Sequence, residues 1–179
     1  SVDTVDVKDA SWKKKDFSKY NVVFHVAGIA HVSSDPKMED LYYKVNRDLT
    51  VEVAKKAKIE GIKQFIFMSS MIIYGVNGKI GEPRVITKET KPAPIDYYGN
   101  SKLLAEKGIL PLQDNNFNIV IVRPPMIYGK GSKGNYPKLA KAARKKNKPA
   151  GGKKKKSKKK TTGLGLQSKK SEDFAGWYS

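Results

Sequence analysis

Three short apolar runs constrain this chain more than any other feature: NVVFHVA at 21–27, KQFIFMS at 63–69 and FNIVIVR at 117–123. Each is nearly continuous in apolar residues, the pattern of a parallel strand buried on both faces. Ser1–Val7 alternates, is β-branched and reads as a further strand. Between the runs the period becomes helical. Pro36 opens a stretch from about Lys37 to Glu60, in which Leu41, Val45, Leu49, Val53 and Ala57 recur every four positions. That spacing predicts one buried stripe, and Gly61 ends the helix as a C-cap. A second helix is expected from about Tyr97 to Leu110, and a basic one near Pro137–Lys146. The segment Gly75–Asp96 and the residues around Gly129, Gly131 and Gly134 are rich in glycine and proline and read as loops. Strands alternating with helices predict an α/β fold, a parallel sheet with helices on both faces. In such sheets ligands sit beyond the carboxyl ends of the strands, here after Val7, Ala27, Ser69 and Arg123.

The net charge of +19 on 179 residues is unevenly placed. Residues 1–137 hold 21 basic and 15 acidic side chains, whereas 138–170 hold 15 basic and none acidic. The first part is an ordinary, mildly basic domain, expected to span 1–149. Residues 150–179 form a lysine-rich tail with no apolar period, expected to lack a fixed fold. The absence of cysteine removes disulfides, thiolate nucleophiles and Cys-based metal sites. With only His25 and His31, no metal centre is expected; His25 reads as a packed core residue and His31 as a loop residue. No apolar run reaches the roughly 18 residues of a membrane span, and SVDTVDVKD is no export signal. No membrane partner and a cytoplasmic location are therefore expected.

The chemistry concentrates at the strand ends. Tyr98 and Lys102 are spaced i, i+4 and share one helix face, where an ammonium favours a phenolate able to act as a base. Ser70 follows the second apolar run, and its hydroxyl can donate to a substrate oxygen beside that phenol. Val26, Ala27 and Gly28 close the first run with small residues that let a flat ligand approach the backbone. Arg123-Pro-Pro-Met-Ile-Tyr-Gly129 follows the third. Gly129-x-Gly131-x-x-Gly134 matches a dinucleotide fingerprint literally. No strand runs directly into it and no acid follows about 20 positions on, so it reads as a substrate-side loop.

In this order, VVFHVAGIAHV (22–32), Asn46 with Thr50, FIFMSSMIIYG (65–75), YYGNSK (97–102) and VRPPMIYG (122–129) resemble the NAD-dependent epimerase/dehydratase family. This is the extended branch of the short-chain dehydrogenases/reductases, and the resemblance covers about residues 1–147. It implies a partial Rossmann-type sheet that lacks the family's first strand and helix. It implies Tyr98 as the proton-transfer tyrosine, Lys102 as the lysine holding the nicotinamide ribose, and Ser70 as the hydroxyl on the reacting sugar. Asp6, Val26, Ala27, Gly28, Asn46, Met68 and Pro125 would join Tyr98 and Lys102 around the cofactor, NAD rather than NADP. Met126 and Asn135 would join Ser70 and Tyr98 around a nucleotide sugar, a UDP-sugar first. Asp6 stands either for the acid on an adenosine ribose or for an adenine contact.

The implied reaction is epimerisation, with proton abstraction by Tyr98 and hydride transfer at one sugar carbon. A 4-keto-sugar reductase or a dehydratase of the same family is the alternative. Dehydratases of this branch place an acidic pair where Met71 and Ile72 stand here, which favours the first two. The family's glycine-rich turn is expected upstream of Ser1, so this chain is expected to bind NAD weakly and to be inactive as a fragment. The family also implies a homodimer through the long helices. A different class of function, sequence-blind binding of polyanions such as nucleic acid, is open to Lys153–Lys156 and Lys158–Lys160.

Overall fold

A computed structural model describes residues 1–30, 36–75, 85–125, 127–129 and 135–146. The expectations for His31, Met126, the loop at 130–134 and the lysine-rich tail lie outside them.

The three apolar runs become β1 (Val22–His25), β2 (Gln64–Met68) and β3 (Asn118–Val122). They pair in that order as a parallel sheet, with Val23 beside Phe65 beside Ile119 and His25 beside Phe67 beside Ile121. Between β1 and β2 the chain is helical from Pro36 to Ile59. A 3-10 turn (Pro36–Met38) leads into α1 (Glu39–Tyr42), a π-helical segment (Tyr43–Asp48) and α2 (Leu49–Ile59). Gly61, at φ 81°, stops it: its N–H reaches Lys58 O at 3.1 Å and the Ile62 N–H reaches Ala57 O at 3.0 Å. This paired closure needs a left-handed residue after the helix, as the glycine predicts. Between β2 and β3 lie a 3-10 turn (Met71–Tyr74) and α3 (Tyr97–Ile109), and α4 (Asn135–Lys146) follows.

One sheet face is the core. Phe65, Phe67 and Ile119 pack with Val53, Ala54 and Ala57 of α2 and Ala105 and Ile109 of α3. Trp12, Phe17, Ile62 and Phe117 join the same buried cluster. Tyr42 is fully buried, a packing residue.

Three expectations need correction. Ser1–Val7 is not a strand; among the described residues no strand lies beside it, and a ladder needs a partner for its hydrogen bonds. The apolar run at 21–27 is not buried on both faces: Val22, Phe24 and Val26 are each about half exposed, opposite the helices that cover Val23 and His25. Third, the buried stripe of the long helix is shifted by one residue in its first half. Tyr42, Asn46 and Thr50 are buried in place of Leu41, Val45 and Leu49. The π segment adds residues to a turn and rotates the helix face, so a uniform 3.6 period misreads it.

Gly75 sits at φ 66°, ψ 168°, a region open essentially to glycine alone. A Cβ there would lie 2.5 Å from the Ala93 carbonyl oxygen. Gly75→Ala is expected to destabilise the fold by at least about 2 kcal/mol, read as a lower urea midpoint at unchanged slope.

Candidate cofactor and catalytic site

The Asp96 carboxylate caps α3, accepting from the Gly99 N–H at 2.7 Å. This start places Tyr98 and Lys102 one turn apart on the same helix. Gly99 has no room for a side chain, since a Cβ would stand 3.0 Å from Pro94 Cβ and 3.2 Å from Ile72 O. The bare backbone brings the start of α3 against the turn that follows Ser70.

Lys102 is buried at 4 % exposure. Its Nζ donates to the Met68 carbonyl at 2.9 Å and lies 4.8 Å from the centre of the Phe67 ring. Burial pulls its pKa down to about 8, and the Glu106 carboxylate opposes that fall. Gly28 comes in from the end of β1. A Cβ on it would stand 2.9 Å from Asn46 Oδ1 and 3.1 Å from Lys102 Nζ. The ends of β1 and β2, the π segment and α3 therefore meet at one spot.

Asn46 organises that spot. Its Oδ1 accepts from Ile29 N at 2.8 Å, and its Nδ2 donates to Ile29 O and to Ser101 Oγ, both at 3.0 Å. Ser101 Oγ in turn donates to Tyr98 O at 2.9 Å. The loop after β1 is thus tied to α3 beside Tyr98 and Lys102. Behind it, Thr50 Oγ1 donates to Asn46 O at 2.8 Å and meets His25 Nε2 at 3.0 Å. The hydroxyl has spent its proton, which assigns the proton on His25 to Nε2. Burial, then the Lys102 charge, depress the His25 pKa to about 3. His25 is stacked on Phe65 and Phe67 and is a core residue, as the sequence implies.

The structure thus joins Gly28, Asn46, Met68 and Lys102 directly, with the Tyr98 backbone two hydrogen bonds from Asn46 through Ser101. The Tyr98 ring is half-buried against that of Tyr42, centroids 6.2 Å apart. Ser70 caps the turn after β2, its Oγ accepting from Ile72 N at 3.2 Å. That bond uses a lone pair and leaves the hydroxyl proton for donation. Met71 N donates to Pro124 O at 3.1 Å, so the segment carrying Pro125 is tied to the one carrying Ser70. Val26 and Pro125 are exposed, Ala27 is half-buried, and Asn135 begins α4. Asp6, with no strand to end, accepts from Lys8 N at 2.9 Å and pairs with the Lys8 ammonium. An open depression of about 790 Å³ beside the Ser70 turn is lined by Met71, Tyr74, Ile86–Glu89 and Arg123.

Sequence reasoning missed Glu106. Its side chain is almost fully buried, and it accepts from Ser69 Oγ at 2.5 Å and from Arg123 Nε and Nη2 at 3.0 and 2.6 Å. Arg123 also donates to the Tyr74 hydroxyl at 2.7 Å. The signal was present: an acid one turn beyond Lys102 on the same helix face, and an arginine directly after an apolar strand.

The profile of the NAD dependent epimerase/dehydratase family matches residues 1–163. The chain belongs to this family. It is 41% identical over 127 residues to a UDP-glucose 4-epimerase from Vibrio cholerae, covering 69% of this chain and 38% of that protein. It is 30% identical over 140 residues to an undecaprenol-linked N-acetylglucosaminyl 4-epimerase from Escherichia coli O157:H7, over 76% of this chain and 40% of that one. Among solved structures it resembles UDP-glucuronic acid 4-epimerase from Bacillus cereus in complex with NAD, with a TM-score of 0.52 and 26% identity. That match covers 61% of this chain and 33% of that one. It also resembles RMD from Pseudomonas aeruginosa complexed with NADPH, with a TM-score of 0.58 and 28% identity, over 70% and 43% of the two chains. The chain therefore spans about two fifths of these two curated relatives. The three-stranded parallel sheet with α2 and α3 on it is part of the family's Rossmann-type fold. Among the described residues no helix is long and apolar enough to cross a membrane.

Proposed function

We propose that this chain carries the nicotinamide-side and sugar-side residues of an NAD-dependent nucleotide-sugar 4-epimerase. The observation that carries the reading is the meeting of Gly28, Asn46 and Lys102. Bare backbone, an amide and a buried ammonium converge at the carboxyl ends of two parallel strands. Such a spot suits the hydroxyl edge of a ribose, and the missing Cβ of Gly28 is what lets the backbone lie this close to Asn46 and Lys102. NAD, bound there, supplies a reversible hydride acceptor. Lys102 would hold its nicotinamide ribose, with Ala27, Gly28 and Met68 lining the approach.

The chain's own residues handle the proton. Tyr98, as phenolate, takes it from a sugar hydroxyl, and Ser70 donates a hydrogen bond to the same oxygen. The Lys102 ammonium, one turn along α3, favours the phenolate. The substrate is a UDP-hexose or UDP-hexuronate, the compounds named for the epimerases in Vibrio cholerae and Bacillus cereus. Two copies would pair through the long helical stretch, where Leu41 and Ile59 are exposed.

Amide chemical shifts test the reading at millimolar ligand, where weak binding is still seen. NAD is expected to move Ala27, Gly28, Met68, Tyr98 and Lys102, and a UDP-hexose to move Ser70 and Met71. Shifts confined to residues remote from Gly28 and Lys102 would sink it. For turnover, Tyr98→Phe is expected to slow 4-epimer exchange at least about 100-fold while leaving UDP-hexose affinity within a few-fold. A variant that keeps most of the rate removes Tyr98 as the base.

A further inference from the structure

Glu106 is the one buried carboxylate among the described residues that the proposed chemistry does not use. It leaves α3 one turn after Lys102 and reaches two other elements. Ser69, which donates to it, is the first residue beyond β2. Arg123, which donates to it twice, is the first residue beyond β3. Ser69 N also donates to Val122 O at 2.8 Å, so these strand ends already touch. Arg123 spends a third N–H on Tyr74, at the end of the turn that Ser70 begins. One carboxylate thus fastens α3 to both strand ends and, through Arg123, to the Ser70 turn.

We propose that Glu106 is a positioning residue: its carboxylate locks α3 against the ends of β2 and β3, and so holds the Lys102 ammonium on the Met68 carbonyl in register with Ser70. The inference rests on the proposed function for the use made of Lys102, but its geometry does not. A bidentate arginine pair fixes direction as well as distance, and a buried one tolerates little displacement. The lock is also electrostatic. The ionisable groups tied to Lys102 are His25 on β1, whose pKa its charge depresses, Tyr98 and Glu106 one turn either side on its own helix, and, through Glu106, Arg123 beyond β3. His25 is neutral well above pH 3, and the Arg123 charge is engaged by Glu106. Glu106 is therefore the counter-charge that opposes the burial of Lys102.

The test is the titration of Lys102, followed by its ε-methylene NMR signal in the intact chain, a readout independent of cofactor and turnover. In the wild type the midpoint lies near 8. In Glu106→Gln it is expected to fall by roughly one pH unit, the effect of removing one nearby carboxylate. Glu106→Gln strands Arg123 and can cost the fold. The double variant Glu106→Gln/Arg123→Met strands no charge, and its midpoint is expected to fall as well, by less than in the single variant because the unpaired Arg123 charge is gone too. A folded variant of either kind with the wild-type midpoint overturns the proposal. Failure of both to fold also overturns it, by making Glu106 a determinant of the fold rather than of the site. If NAD and UDP-hexose fail to bind while the Lys102 midpoint moves as expected, the functional reading falls and the positioning role stands.

Discussion

Lys102→Met is expected to stabilise the fold at neutral pH by about 1–2 kcal/mol while removing the cation on which the proposed chemistry depends. Burial lowers the Lys102 pKa from 10.5 to about 8, which means that the folded chain carries the buried charge at a cost of roughly 3 kcal/mol relative to the neutral amine. Methionine fills similar volume without that cost. It forfeits the hydrogen bond to the Met68 carbonyl and the contact over the Phe67 ring, which together return about 1–2 kcal/mol. The pH dependence separates this account from mere better packing. Between about pH 8 and 10.5 the unfolded chain holds the lysine proton and the folded chain does not, so wild-type stability rises with pH through that window. The advantage of the variant should therefore shrink from pH 7.5 to pH 10 in urea titrations. An advantage that is constant with pH, or a loss of stability at pH 7.5, contradicts it.

That a site residue should work against the fold explains part of what the sequence shows and part of what it hides. The parallel strands were legible because apolar runs at 21–27, 63–69 and 117–123 have few other folded uses. Helix α3 was legible from about Tyr97 to Leu110, and the helix end at Gly61 from its residue type, whereas the Asp96 cap was not read. That Asn46 lies near the Gly28 loop was implied only by the resemblance, and its meeting with Lys102 was not read from the spacing. Two further things were not legible. The shift of the buried stripe onto Tyr42, Asn46 and Thr50 depends on a π segment, which has no compositional mark. Asn46 is buried because of what it bonds, and period counting weighs only apolarity. Glu106 was passed over for the opposite reason, because a lone acid on a helix is usually solvated. Only the arginine 17 positions on, across a strand, makes its burial tolerable. Ser1–Val7 shows the converse error, a strand-like pattern without a neighbour to pair with.

The largest pH effect is expected from His25. Its pKa falls from 6.5 to about 3, chiefly through burial and then through the Lys102 charge. The neutral ring is therefore what the fold selects. Stability from this group is fully present above about pH 6.5 and is lost as pH falls toward 3, because the unfolded chain takes up a proton there and the folded chain does not. The whole window is worth roughly 4–5 kcal/mol, of the same order as the stability of a small domain. By pH 4.5 about 3 kcal/mol of it should be gone. His25→Gln removes the titration and keeps an N–H for Thr50, so its stability should fall less between pH 7.5 and 4.5 by about that amount, whatever its absolute value. Equal losses in wild type and variant would show that carboxylates, not His25, set the acid limit. Lys102→Met supplies the cross-check. Without the neighbouring ammonium the His25 pKa rises toward its unfolded value, so the acid loss still begins near pH 6.5 but ends at a higher pH and is smaller. The two sites are coupled through a shared low-dielectric pocket, and the double variant His25→Gln/Lys102→Met should show less than the sum of the two single effects on the acid slope.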